Sequence, residues 1–297
     1  LDMPIAINLS YGSSYGSRDG NGLFETYLNE MVLHWKTVIV TGTGNNASKR
    51  LHSEGNIKNN NQICFMISGY TSRVSLELWK KASDSYNIEI IHPDGNSTGI
   101  IPLLNQVLRY RTRNESVIVF TSSPTPFNTN ESINIEILTE SGYLEEGIWT
   151  IKLHDRVSVD GSYEVWMHSG SSEACIFINP SRDNTLTLPA TAKNVISVAA
   201  YDYKTGKIAD FSGRGDLAYS RQKPDITAPG VGITSVAPND SYTTLDGTSM
   251  AAPFVTGACA LMMEWGIVRG NDPYLYGSKI KSYLHSGATR ERGIVYP

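Results

Sequence analysis

The chain has 297 residues, a length that suits about two domains. With 25 Lys and Arg against 29 Asp and Glu, its formal charge is −4, which leaves no basic footprint for nucleic acid. Hydrophobic residues make up 40% and charged residues 18%, a globular balance, and no apolar run is expected to reach the roughly 20 residues of a membrane span.

In chain order, Ile5-Ala6-Ile7-Asn8-Leu9 reads as a strand that runs on towards Ser10-Tyr11-Gly12. Leu23, Phe24, Tyr27, Leu28, Met31, Val32 and Trp35 recur at helical spacing and predict a helix from Leu23 to Trp35. Thr37-Val38-Ile39-Val40 follows as a buried strand, so residues 4–40 form a βαβ unit. The strand ends in Thr41-Gly42-Thr43-Gly44-Asn45-Asn46-Ala47, by its composition a turn.

Composition shifts near residue 49 and shifts back near 185. Lys49 to Asn61 is polar and loop-like. Apolar residues then alternate with polar ones: Val74, Leu76, Leu78; Tyr86, Ile88, Ile90; Ile133, Ile135, Ile137; Trp149, Ile151, Leu153; Tyr163, Val165, Met167. Period two means strands with one buried face. Turns such as Pro93-Asp94-Gly95 and Asp160-Gly161 separate them, and the pattern predicts an all-β sandwich or jelly roll. Three cysteines, Cys64, Cys175 and Cys259, are expected as free thiols, although the first two could pair.

Val195 to Ala200 reads as a further strand. Asp246-Gly247-Thr248-Ser249-Met250-Ala251-Ala252-Pro253 then places a serine at the start of a long apolar helix ending near Trp265. Backbone N–H groups are unpaired there and the helix dipole is positive, which suits a nucleophile. The helix is apolar nearly all round and is expected to be buried. Pro253 lies early enough to be tolerated. A last helix is expected at Tyr274–His285, capped by Asn271-Asp272-Pro273.

Gly247-Thr248-Ser249-Met250-Ala251-Ala252-Pro253 resembles the nucleophile motif of the subtilisin-like serine peptidases, the subtilases. Phe211-Ser212-Gly213-Arg214-Gly215 and Lys223-Pro224-Asp225-Ile226-Thr227-Ala228-Pro229-Gly230-Val231 look like landmarks of the same family. The resemblance covers roughly residues 1–48 and 185–297. It implies that Ser249 is the catalytic serine and Asn45 the side-chain donor to the oxyanion. It implies that a polypeptide substrate pairs along Ser10, Tyr11 and Gly12. Gly42, Gly44 and Thr187 would border the primary specificity pocket.

A Ser-His-Asp triad also needs a histidine and an aspartate. Subtilases place these upstream, in His-Gly-Thr and Asp-Thr-Gly or Asp-Ser-Gly contexts, and neither context occurs here. His34, His52, His92, His154, His168 and His285 all read as surface or structural residues. The acid and base are therefore expected before Leu1, in a longer protein.

A jelly roll inserted between the oxyanion Asn and the nucleophile resembles the Csp spore-germination peptidases, which implies a spore or extracellular setting and a cortex-hydrolase proenzyme as substrate. The resulting fold class is α/β: a subtilisin-like, mostly parallel sheet with an inserted all-β jelly roll. Its parts are residues 1–49, the insert 50–185, and residues 186–297 with the nucleophile. No cofactor and no metal ligand is assigned. The peptidase's own propeptide is a second partner; nucleic acid is not one. The competing readings are a pseudopeptidase scaffold that docks a partner and a carbohydrate-binding jelly roll.

Overall fold

The structure is a computed structural model, and it describes the chain apart from residues 1–2, 35, 104–106, 113, 126–127, 140–141, 169–173, 216–222 and 290–297. The chain divides into two compact units, one built from residues 1–48 and 183–297, the other from residues 49–182.

The first unit is a parallel sheet with helices on both faces. Its strands are β1 (Ile5–Leu9), β2 (Thr37–Gly42), β13 (Ile196–Tyr201) and β14 (Ile226–Pro229), in the order β1-β2-β13-β14. β1 pairs with β2 in parallel, Ile5 opposite Thr37, and α1 (Leu23–Leu33) makes the crossover. β2 is buried from Val38 to Gly42, with the apolar run Val38-Ile39-Val40 at its centre, because both its faces are covered. Ile39 packs with Leu28 and Val32 of α1. Val38 and Val40 pack on the other side with α2 (Thr248–Met263) and with Ile280 of α3 (Gly277–Gly287). An antiparallel hairpin, β15 (Ile233–Ala237) and β16 (Ser241–Leu245), leads into α2.

Three helix expectations change. α1 ends at Leu33, His34 is already extended, and Trp35 lies outside the described residues. α3 begins at Gly277 with no side-chain cap. Asp272 instead accepts hydrogen bonds from Lys279 Nζ at 2.8 Å and Tyr283 OH at 3.1 Å. α2 is buried on one face only. Ala251, Ala252, Val255, Cys259 and Met263 face the sheet, while Phe254 and Leu261 on the other side are 51% and 67% exposed.

α2 continues through a π-helical turn at Glu264–Val268. The resulting 21-residue stretch Thr248–Val268 is, by length and composition alone, long and apolar enough to cross a membrane. The expectation that no stretch would reach that length is thus corrected. A core helix passes the same test, and this one packs its small residues on β13.

The second unit holds only antiparallel strands among its described residues. β3 (His52–Asn56), β4 (Gln62–Ile67), β5 (Arg73–Lys81), β6 (Ser85–Ile91), β7 (Leu108–Thr112) and β8 (Glu115–Thr121) come first. β9 (Asn130–Thr139), β10 (Gly147–Val157), β11 (Ser162–Met167) and β12 (Cys175–Phe177) complete it. They form two sheets, β12-β4-β10-β6 and β3-β11-β5-β9-β8-β7. One core lies between them. Ile133, Ile135 and Ile137 supply it from one sheet, and Phe65, Ile88, Ile151 and fully buried Trp149 from the other. Asp84 fixes the turn before β11. Its carboxylate accepts the N–H groups of Val159, Asp160 and Gly161 at 2.7, 3.0 and 2.8 Å. Those bonds outweigh burial and hold its pKa below the usual carboxylate range. Cys64, Cys175 and Cys259 are free thiols, and burial pushes Cys259 up to about 12.

Candidate active site

The site gathers where three loops of the parallel-sheet unit converge. Ser249 lies in the first turn of α2, half-buried. Gly247 precedes the helix at φ 152°, and its N–H bonds to Gly230 O at 2.8 Å. Gly247 has no side chain to cap the helix, so the cap comes from 203 residues away: Asn45 Oδ1 accepts the Thr248 N–H at 2.9 Å. It also accepts from Thr248 Oγ1 at 3.1 Å. The same Oγ1 accepts the Gly44 N–H at 3.0 Å.

That clamp decides which end of the Asn45 amide is left over. The oxygen is turned to Thr248, so Nδ2 is the end presented elsewhere. Nδ2 donates no hydrogen bond to another described residue, and neither does the Ser249 N–H. Among the described residues, the Asn45 amide nitrogen and the Ser249 N–H are thus both left without an acceptor. The motif alone assigns Thr248 no role. Its signal was its place beside the serine, but the orienting task needs the fold to bring Gly44 and Asn45 next to it.

Pro253 explains a second contact. Without an N–H it cannot bond the carbonyl of Ser249, four residues earlier. Ser10 Oγ donates to that carbonyl instead, at 3.0 Å. Asn8 Nδ2 in turn donates to Ser10 Oγ at 2.9 Å. Ser10 and Gly12 are exposed just past the end of β1, and Tyr11 is 60% exposed. Among the described residues β1 lies at the edge of its sheet.

Thr187 closes the remaining side. Its N–H bonds to Thr43 O at 3.0 Å, and the adjacent Leu188 pairs with Ser13 as an antiparallel bridge. A Cβ on Gly12 would come within 2.6 Å of Thr187 Oγ1, and one on Gly44 within 2.5 Å. Gly44 also has φ +95°, so glycine is required there twice over. A Cβ on Gly42 would meet Thr248 Oγ1 at 2.7 Å. Thus the structure brings Ser10, Gly12, Gly42, Gly44, Asn45, Thr187 and Ser249 together, with Tyr11 beside them at the surface. No side chain among the described residues hydrogen-bonds Ser249 Oγ, and all six histidines are described.

Below the site, Asp225 ties the sheet together. Its Oδ2 accepts from the Ser197 N–H at 2.7 Å, Ser197 Oγ at 2.8 Å and Lys223 Nζ at 2.6 Å, and its Oδ1 meets Lys281 Nζ at 2.6 Å. Burial would raise the Asp225 carboxyl, but the two ammoniums outweigh it and hold it low. Burial pushes Lys223 down to about 8 against the pull of Asp225.

The parallel sheet, the glycines around Thr187 and Thr248 and the serine at a helix start resemble the scaffold of the subtilisin-like serine peptidases. Residues 178–288 match the Subtilase family. Across 99% of its length the chain is similar to the Clostridium perfringens CspB protease, with 36% identity and a TM-score of 0.92, and it covers 62% of that chain. It is 38% identical over 106 residues to Subtilisin DY of Bacillus licheniformis, 36% of this chain and 34% of that protein. It is 31% identical over 149 residues to Serine protease AprX of Bacillus subtilis, 43% of this chain and 32% of that protein. The chain thus spans less than two thirds of each of these proteins.

Proposed function

We propose that this chain carries the nucleophile half of a serine endopeptidase. Ser249 Oγ attacks the peptide carbonyl, and the Ser249 N–H and Asn45 Nδ2 hold the oxyanion. The proton goes to a histidine steadied by an aspartate, both supplied by sequence outside this chain. The observation that carries this reading is the paired bond from Thr248 to Asn45 Oδ1, which aims the amide nitrogen.

Substrate lies along Ser10, Tyr11 and Gly12 as an added strand. Thr187 occupies the space between Gly12 and Gly44, so the primary pocket takes a small side chain. The resemblance to the Csp peptidases makes a cortex-hydrolase proenzyme the candidate substrate, in a spore. We read residues 49–182 as the jelly roll. The sheet orders β3-β11-β5-β9 and β4-β10-β6 support it, since two interleaved Greek keys give such orders. No specific observation favours the docking-scaffold reading.

The test uses a full-length protein carrying the upstream sequence. Ser249→Ala should abolish acyl-enzyme formation. Asn45→Ala should lower kcat by about 10²–10³, the handicap of losing one such donor in subtilisin, with KM little changed. Asn46→Ala should be nearly silent. An active Ser249→Ala protein refutes the mechanism. A costly Asn46 beside a silent Asn45 refutes the assignment of the donor.

A further inference from the structure

We propose that His52, Glu54 and Glu164 form a site for a divalent ion of the zinc class, within the all-β unit. One ring nitrogen of His52 and one carboxylate oxygen of each glutamate all lie within 4.8 Å of one another. The register builds the cluster. His52 and Glu54 stand two apart on β3 and so share a face. On β11, Glu164 lies directly opposite Glu54, and Trp166 directly opposite His52.

Two carboxylates in register on neighbouring strands repel each other, and a shared cation removes that cost. His52 is 1% exposed, and its ring stacks on Trp166 with centroids 4.7 Å apart and planes 13° apart. The indole holds the orientation of the imidazole. Glu54 is exposed and Glu164 half-buried, so an ion has a way in. Zinc bonds of about 2.1 Å in a tetrahedron set ligand atoms roughly 3.4 Å apart. Small torsional shifts of exposed Glu54, with its Oε1 kept on Ser181, would close the difference. Ser181 Oγ already donates to Glu54 Oε1 at 2.8 Å, an outer-shell hold of the kind metal carboxylates have. One nitrogen with two carboxylates suits zinc or manganese better than calcium, which takes more oxygen ligands. Three protein ligands leave a position for water.

The placement suggests what the ion does. β3 is an edge strand, and the Ser181 N–H bonds to His52 O at 2.9 Å. His52 and Ser181 lie at the two ends of the unit's chain, residues 49 and 182. An ion here staples the entering strand to β11 beside the departing chain.

The test is zinc titration of the metal-stripped full chain by calorimetry, with thermal melts alongside. Wild type should bind one Zn²⁺ per chain and melt higher in its presence, as any ligand of the native state requires. Glu54→Gln and Glu164→Gln should each weaken binding by about tenfold or more. Glu89→Gln, which removes the carboxylate paired with His154 on the other sheet, should bind as wild type does. Absence of saturable binding up to about 1 mM overturns the proposal. So does an affinity within about threefold of wild type in either the Glu54 or the Glu164 variant.

Discussion

Asp225→Asn should cost the parallel-sheet unit about 3–5 kcal/mol at pH 7, the usual penalty for removing one partner of a buried ion pair. The side chains of Asp225 and Lys223 are 2% and 6% exposed. Asparagine keeps the shape and can still accept from Ser197, but Lys223 is left with the Val195 carbonyl at 2.8 Å and no counter-charge. Folding stability is typically about 5–15 kcal/mol, so the loss is large. The pH dependence has a definite sign. Lys223 has its native value lowered to about 8, so between there and the unfolded value near 10.5 the unfolded chain holds more protons. Wild-type stability therefore rises with pH across that window on account of this group. Asp225 has a lowered native value, so its contribution is present above the unfolded carboxyl value of about 3.9 and is lost as pH falls through the native one. Because the Asp–Lys attraction vanishes once Lys223 is neutral, the gap between variant and wild type should narrow from pH 7 to about 9.5. Amide exchange of β13, Ile196–Tyr201, reads the stability of this unit alone. A loss below about 1 kcal/mol, or one that does not change with pH, would refute the reasoning.

Gly44→Ala should destabilise the same unit by about 1–3 kcal/mol, because a Cβ would meet Thr187 Oγ1 and Cγ2 at 2.5 and 2.6 Å at a left-handed φ; denaturant midpoints check it, and Thr187→Gly in the same chain should relieve part of the loss. Ser10→Ala strands the Ser249 carbonyl that Pro253 cannot serve, so a loss of about 1 kcal/mol and faster exchange of the first-turn amides of α2 are expected. Trp149→Ala empties the centre of the all-β core and should cost about 3–5 kcal/mol, seen as a lower melting transition with β-type circular dichroism retained below it.

The buried side of the strands that alternate was legible because period two is a local signal. Ile133, Ile135 and Ile137 point into one core, as their alternation with polar residues required. β2 was legible for the opposite reason: an unbroken apolar run has both faces covered. What failed was whatever another segment decides. α2 has an apolar composition on every side, yet the sheet covers only one, and Phe254 stays outside. Asp272 looked like a cap and serves Lys279 and Tyr283 instead. The hairpin β15–β16 went unread, although Asn239 and Asp240 take positive φ values of 61° and 52°, the turn such residues favour. At the site, the residue types around Ser249 were readable from the motif. The clamp was not, since Thr248 acts on Asn45 only after the sheet has closed between them.

The sheet order β1-β2-β13-β14 makes one neighbouring pair expensive to assemble. β2 ends at Gly42 and β13 begins at Ile196, so an unstructured chain must close a loop of about 150 residues to pair them. The intervening unit can form from contiguous sequence first, and its ends then meet where the Ser181 N–H bonds to His52 O. The remaining loop is effectively about 25 residues. By the logarithmic law of loop closure that saves about 1.6 kcal/mol of chain entropy, nearly fifteenfold in the odds of encounter. Order of assembly, rather than any contact at the serine, then becomes the first service the all-β unit performs, and a weakened β3 edge would show up as slow maturation of the sheet that carries Ser249.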